Sequence, residues 1–277
     1  MDTTKLDSAS IARSDSTVLR VWRSRSRAVG RRLEMLSGRV LDQRLAREQR
    51  KGILGPAHRG WRGNSAMENR KRWTDWDWSG GGEEWTASAA WKQALIDDVL
   101  LAQIPQGGVI LEIGPGATRW SAVLHPRARR LILVDVADRP LALCRERFAG
   151  AENVEYVLSS GRDLPGVADS SVNAIWSFDV FVHVAPVDQA GYLEEMARVL
   201  LPGGVAVIHH ADGRNLGHQP SRSGWRSPMS RYLFATLAAQ HGLAVDAQIS
   251  SWGAGGCHDL SAYHDAITVC RKPDDGG

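Results

Sequence analysis

The chain has 277 residues, 43% of them hydrophobic and 23% charged, with 34 Lys and Arg against 31 Asp and Glu. That length and apolar content suffice for one full α/β core with an appendage. No run of about 18 apolar residues marks a membrane span, and the polar stretch 8–16 does not read as a secretory signal. The three cysteines, Cys144, Cys257 and Cys270, are odd in number and lack metal-ligand spacing, so free thiols in a reducing cytoplasm are expected.

The near-balance of charge hides a division. Residues 1–72 hold 18 Lys and Arg against 7 Asp and Glu, a net of +11, whereas the remainder holds 16 against 24. Within the basic part Val18, Trp22, Val29, Leu33, Leu36 and Val40 recur at helical spacing. One or two amphipathic helices over 16–51 are therefore predicted, packed on the core or on a second copy of the chain as a homo-oligomer contact. Attachment to an anionic membrane surface or a nucleic acid is the alternative, and nucleic acid is not favoured as a partner. Gly52 to Asn64 is glycine-rich and reads as a linker. The chain thus divides into a basic helical N-terminal extension with its linker, 1–72, and an α/β domain, 73–277.

Trp73, Trp76, Trp78, Trp85 and Trp91 crowd into nineteen residues around a run of three glycines. They predict a hydrophobic strap beneath the N-terminal helix. The alternative is a lid over a ligand or a stacking platform for a sugar or a base, since an aromatic ring can cover the apolar C–H face of a pyranose. Glu83 and Glu84 are expected to open a helix running towards Leu101, where carboxylates suit the helix dipole. Ligand contact through Glu84 and Trp85 is the competing role.

Next comes Val109-Ile110-Leu111-Glu112-Ile113-Gly114-Pro115-Gly116, a buried strand ending in a glycine-tight turn. A second apolar run, Leu131 to Val134, ends in Asp135, where a doubly wound sheet presents a carboxylate to ribose hydroxyls. The pair points to a nucleotide-like cofactor. The dinucleotide fingerprint wants a third small residue beside a pyrophosphate, but Arg119 stands there. Glu112 beside the turn would also repel a diphosphate and suits a ligand with an amino group and a sulfonium, such as S-adenosylmethionine. At Glu112-Ile113-Gly114-Pro115-Gly116 the chain resembles the class I S-adenosylmethionine-dependent methyltransferases, and the resemblance extends over 83–271. It implies a doubly wound, Rossmann-like, seven-stranded sheet, parallel with one antiparallel strand, carrying the N-terminal helical extension. It also implies cofactor contacts at Glu112, Gly114, Pro115, Gly116 and Asp135.

Ala137 to Phe148 is predicted as a helix and Val154 to Leu158 as a strand. The turn after it, Ser160-Gly161-Arg162, lies where that family contacts adenine, with Ser160 in place of the family's usual aspartate. After a strand over Val172 to Trp176 comes Ser177-Phe178-Asp179-Val180-Phe181-Val182-His183, on the crevice side of such sheets. Phe178 is assigned to the cofactor. If the stretch is helical, Asp179 and His183 share a face, and His183 is the first candidate for a general base, a neutral imidazole accepting a hydroxyl proton.

A helix over Val187 to Leu200 is expected to stop at Leu201-Pro202-Gly203-Gly204, a family-like signature, before a strand over Val205 to Ile208. His209, His210 and Asp212 follow. Successive strand residues face opposite ways, so at most one of the two histidines is expected in the pocket. Asp179, His183, a histidine of this pair and Asp212 admit Mg²⁺ as a ligand. It is not favoured, because hard oxygen donors suit Mg²⁺ better, and no metal site is assigned. The long loop 213–230, with Trp225 and Arg226, reads as an acceptor-binding cap. A helix over Arg231 to His241 and strands over Leu243 to Ile249 and Ala262 to Arg271 close the fold.

Gly82 to Trp85, Ser177 to His183, His209-His210 and Trp225 to Met229 together look like a bacterial group associated with glycan and natural-product pathways. This resemblance implies an O-methyltransferase acting on a sugar or glycan precursor, cytoplasmic, with His183, Asp179, His209 and His210 as catalytic candidates and Glu84, Trp85, Trp225 and Arg226 at the acceptor. The alternatives are a methyltransferase for a nucleoside, another small natural product or RNA, and a non-catalytic S-adenosylmethionine-binding interaction module.

Overall fold

The computed structural model describes residues 64–212, 226–260 and 264–274. The expected helices over 16–51, nearly all of the linker and Trp225 lie outside the described residues.

Five consecutive apolar and acidic residues, Val109–Ile113, form β1 at the centre of a seven-stranded sheet, and every one of them is buried. A strand covered on both faces has this composition, because neither face meets water. β2 (Arg130–Asp135) and β3 (Val154–Leu158) extend the sheet to one side, and β4 (Val172–Ser177) and β5 (Leu200–Ala211) to the other. β6 (Ala244–Ile249) and β7 (Asp265–Arg271) complete the order β3-β2-β1-β4-β5-β7-β6. β7 pairs antiparallel with both neighbours and the other pairings are parallel, the topology expected from the resemblance. A two-residue pairing of Ser251–Trp252 with His258–Asp259 stands apart.

Alternation along β1 feeds two cores. Val109, Leu111 and Ile113 join Phe181, Tyr192 and Met196 on one face. Ile110 joins Trp91, Trp120 and Trp176 on the other. Among the described residues six helices flank the sheet: α1 (Ala66–Asp75), α2 (Ala89–Leu95), α3 (Ser121–Leu124), α4 (Asp138–Arg147), α5 (Pro186–Val199) and α6 (Arg231–Gln240). α2 continues through a wider π turn, Ile96–Leu100, into Leu101–Gln103. α1 starts at a full capping box between Ser65 and Glu68 and crosses the domain boundary expected after Arg72.

Three local expectations are corrected. Glu83 and Glu84 do not open the helix to Leu101. They sit in a separate 3-10 turn, Glu83–Trp85, and α2 begins after Ser88, whose hydroxyl caps the Trp91 N–H at 3.1 Å. Glu83 is instead drawn to Lys92 and the Thr86 hydroxyl. Leu201 to Gly204 does not turn the chain before β5 but lies within it, since Leu200 already pairs with Val172 and Gly203 N–H donates to Lys272 O at 2.9 Å. Phe178 to His183 is not helical: Asp179 has φ 62°, and the stretch is a series of bends and turns ending at a bridge from Asn64 to Val184.

The order of strands reverses between β1 and β4, so the crevice at their carboxyl ends is where such a sheet receives a ligand. Trp176 anchors that junction, fully buried between Trp120 at 5.7 Å and Phe178 at 5.9 Å. Its indole N–H has no hydrogen-bond partner among the described residues. Trp176→Ala should therefore cost about 3–5 kcal/mol in chemical denaturation, while Trp176→Phe costs far less; equal losses would show that the indole nitrogen, and not the ring volume, holds the junction.

Candidate active site

A cavity of about 340 Å³ opens at this crevice, within the range of small-molecule sites. Its floor is the glycine turn. Gly114 and Gly116 both take left-handed backbone, φ 73° and 54°, which costs glycine little. A Cβ on Gly114 would stand 2.3 Å from Val180, and one on Gly116 2.8 Å from the Trp78 ring. Asp135, at the end of β2, borders the cavity and accepts the Ala137 N–H at 2.9 Å. Burial raises its pKa to about 7. A glycine cradle that a Cβ would fill, beside a buried carboxylate at the end of β2, fits an adenosine-type cofactor such as S-adenosylmethionine. Gly114, Pro115, Gly116 and Asp135 would hold it, with Gly161 and Phe178 also on the wall.

Glu112 is placed differently. It is buried beneath the turn, off the cavity wall, and its carboxyl oxygen accepts the Ser121 hydroxyl at 2.6 Å. Desolvation pushes its pKa up to about 8, so the cofactor-free site keeps this group protonated near neutral pH. At the adenine end Ser160 and Arg162 are exposed and off the wall. The Ser160 N–H is taken by Asp163 Oδ1 at 2.7 Å, and the Gly161 N–H by Ser159 Oγ at 2.9 Å.

The acceptor side is built on ion pairs. Asp179 follows β4, and its left-handed φ turns its carboxylate towards Arg119, with which it makes a short, nearly buried pair. His209 lies on the opposite flank: Nδ1 is 3.0 Å from the Asp179 N–H and 3.2 Å from Asp179 Oδ1, and the ring stacks on Phe178 at 4.2 Å. Burial alone would raise the Asp179 pKa, but His209 and Arg119 outweigh it and hold the carboxyl well below its usual range. Burial likewise works against a charged His209, and Asp179 and Asp265 overcome it, raising its pKa. Asp265, at the start of β7, lies 3.4 Å from His209 Nε2 and 3.1 Å from Arg226 Nη2, at ion-pair distance but off the hydrogen-bonding line. The result is an alternating row: Arg119, Asp179, His209, Asp265, Arg226.

His183 lies on the cavity wall, buried, its ring 5.4 Å from that of Trp73. Its backbone is pinned on both sides, N–H to Val180 O at 3.0 Å and C=O receiving the Asn64 N–H at 2.8 Å. His210 faces the other way, as alternation requires. Its Nε2 meets the Thr268 hydroxyl at 2.7 Å, its ring stacks on Phe234 at 4.1 Å, and burial lowers its pKa to about 4. That placement removes it from the reacting groups. Trp85 and Arg226 border the cavity, whereas Glu84 is exposed and accepts the Trp76 indole N–H at 3.2 Å. Among the described residues no three His, Cys, Asp or Glu side chains converge as a metal-holding group.

Three contributors were not read as site residues from the sequence. Arg119 had counted only as a missing glycine. Asp265 reaches the site because β7 pairs with β5, setting it opposite Ala211. Asn69 comes in on α1. Amphipathic spacing in 66–75 was the available signal for the last, and none marked Asp265.

Residues 111–208 match the family described as "Methyltransferase domain". The chain is 31% identical over 138 residues to a dimethylglycine N-methyltransferase of Parasynechococcus marenigrum, covering 48% of each chain. It is 34% identical over 120 residues to a protein of Mycobacterium tuberculosis named as an O-methyltransferase, covering 40% of this chain and 51% of the relative. The chain thus spans about half the length of these relatives. In fold it is similar to a chain from the complex of the Haloferax volcanii Trm112 methyltransferase activator with a methyltransferase, at TM-score 0.58, 19% identity, 76% of this chain and 99% of that one. A sarcosine dimethylglycine methyltransferase structure from Galdieria sulphuraria matches at TM-score 0.52 and 19% identity, over 67% of this chain and 86% of that one.

The raised pKa of Glu112 fixes the sign of a pH effect. Between about pH 4.5 and 8 the unfolded chain releases this proton while the folded one keeps it, so stability falls as pH rises through that window. Glu112→Gln removes the penalty and keeps an oxygen for Ser121. Its cofactor-free melting temperature should match wild type near pH 5 and exceed it by at least about 2–4 °C near pH 8; the same difference at both pH values would contradict the protonated assignment.

Proposed function

We propose that this chain, which matches a methyltransferase domain over 111–208, uses S-adenosylmethionine to methylate a hydroxyl of a sugar or glycan precursor. The observation that carries the reading is the mixed lining of one cavity. Indole rings of Trp73 and Trp85 share it with the Asp179 carboxylate and the His183 imidazole, whose ring lies 5.4 Å from that of Trp73. An aromatic face covers the apolar side of a pyranose, and fixed polar groups select its hydroxyls.

Bound S-adenosylmethionine supplies the methyl electrophile. Asp179, kept ionised by Arg119 and His209, accepts a hydrogen bond from an acceptor hydroxyl and orients it. His183 would take the proton that the acceptor hydroxyl gives up, while the cofactor's methyl–sulfur bond would break with its electron pair left on sulfur, the departing thioether. Such a base contributes about 10²- to 10⁴-fold in rate. His209 is the runner-up for this role, but both its ring nitrogens already face Asp179 and Asp265, which suits holding Asp179 better than receiving a proton from a ligand. The buried walls exclude water, and orientation within them lowers the barrier further.

Methyl transfer from labelled S-adenosylmethionine should be screened across mono- and oligosaccharides, with and without EDTA, and against RNA and small amines. Transfer to a glycoside is expected, and transfer to RNA or to an amine alone would replace the acceptor class. His183→Ala should lower kcat about 10²- to 10⁴-fold with cofactor affinity unchanged. Full activity in that variant would remove His183 as the base, and cofactor binding without transfer to any acceptor would favour the non-catalytic binding module.

A further inference from the structure

α1 and the tryptophans after it lie outside the matched residues 111–208, yet they touch each turn that the cofactor reading uses. Ala66 packs on the Gly161 turn so closely that a Cβ on Gly161 would stand 2.5 Å from the Ala66 Cβ. One helical turn on, Arg70 donates from Nε to Val136 O at 2.9 Å and from Nη2 to Ser159 O at 3.2 Å, tying together the residues just beyond β2 and β3. Trp78 covers Gly116, with its own indole N–H fixed on Trp73 O at 3.1 Å. Between these contacts sits Asn69, 5% exposed and on the cavity wall. Its Oδ1 accepts from Asn64 Nδ2 at 3.0 Å, so its amide NH₂ is the donor it offers the cavity. A buried amide on an apolar, tryptophan-rich wall costs free energy until it is hydrogen-bonded.

We propose that α1 is the roof of the cofactor site, with Asn69 donating a hydrogen bond to bound S-adenosylmethionine and Arg70 acting as the positioning residue that clamps the roof to the ends of β2 and β3. The proposal rests on the cofactor assignment above. The sheet ends supply the floor and the carboxylate of Asp135, and α1 with Trp78 packs over those same turns. The α1 roof completes the enclosure that a cofactor with a reactive sulfonium needs against water.

Calorimetric titration of the full chain with S-adenosylmethionine and S-adenosylhomocysteine tests this. Asn69→Leu removes both the donor and the Asn64 contact at similar volume, and Asn69→Ser removes the amide donor while keeping a small polar group. Both should raise Kd about tenfold or more, the effect of one lost buried hydrogen bond, and a cooperative melt without cofactor in each variant shows that the loss is not one of folding. Arg70→Ala should speed cofactor dissociation and raise its KM more than it lowers kcat, with part of the effect recovered in Arg70→Lys, which keeps one donor. Asp135→Ala separates the two ideas. If it abolishes binding while the Asn69 and Arg70 variants bind as wild type does, the roof assignment falls and the cofactor site stands. If wild type binds neither compound, or Asp135→Ala binds as tightly as wild type, the cofactor site is misassigned and the roof falls with it.

Discussion

The ion pair between Arg119 and Asp179 joins the two halves of the cleft, and the geometry of the site depends on it. Arg119 follows β1 and Asp179 follows β4, the strands on either side of the reversal in the sheet. Burying such a pair is costly, and removing one partner from it typically costs about 3–5 kcal/mol, because the other charge is stranded. Here the cost is spread along a row in which each carboxylate lies between two basic groups: Asp179 between Arg119 and His209, Asp265 between His209 and Arg226. The same junction is locked sterically. Gly114 and Val180 pack so closely that no side chain fits at 114, and Asp179 holds a left-handed φ that a non-glycine residue adopts at a cost. Strain of that kind persists where surrounding contacts over-determine it, and the Arg119 and His209 contacts do so here.

The cavity lining combines two chemistries. Charged and titratable groups, Arg119, Asp179, His183, His209 and Arg226, share it with the indole rings contributed by residues 66–85, and the His183 ring lies 5.4 Å from that of Trp73. Four of the five tryptophans of 73–91, Trp73, Trp78, Trp85 and Trp91, border the cavity, while Trp76 stacks behind them 5.4 Å from Trp85. Trp91 also belongs to the core. It packs against Phe178 and Trp252, and its carbonyl accepts the Trp252 indole N–H at 3.2 Å. The crowd of tryptophans in the sequence thus lines the cavity and, through Trp91 on helix α2, joins that lining to the core.

The cofactor floor was legible because its signal is local. A fully buried strand, a glycine turn and a second strand ending in Asp135 are each written in consecutive residues, and parallel pairing fixes their relative register. The acceptor side was legible only in part. Asp179 and His183 were identified by following the end of β4, but an i, i+4 helical relation was the wrong geometry, since the left-handed residue at 179 breaks any helix at its start. Strand alternation sent His209 and His210 to opposite faces, as it must, but could not say which faced inwards. That depended on β7 arriving beside β5 and bringing Asp265 to His209 and Thr268 to His210. Arg119 stands where a dinucleotide fingerprint has a small residue, and nothing local marks it as a site residue. Its charge acquires a role only when Asp179, sixty residues on, is in place.

Where the residues sit along the chain also decides what can be carried over from relatives. The matched span 111–208 contains the glycine turn, Asp135, Asp179 and His183, the residues that the proposed function assigns to the cofactor and the reacting atom. Trp73, Trp85, His209, Arg226 and Asp265 lie outside it, and they form the tryptophan wall and the far end of the ion row. A relative that accepts dimethylglycine can share the first set and differ throughout the second, because the floor constrains only the methyl donor. Discrimination between an amine and a sugar hydroxyl must come from groups that touch the acceptor. In this chain the part of the cavity outside the matched span is lined by the indoles of Trp73, Trp78 and Trp85 and by His209 and Arg226, and any contact that selects the acceptor there depends on those side chains.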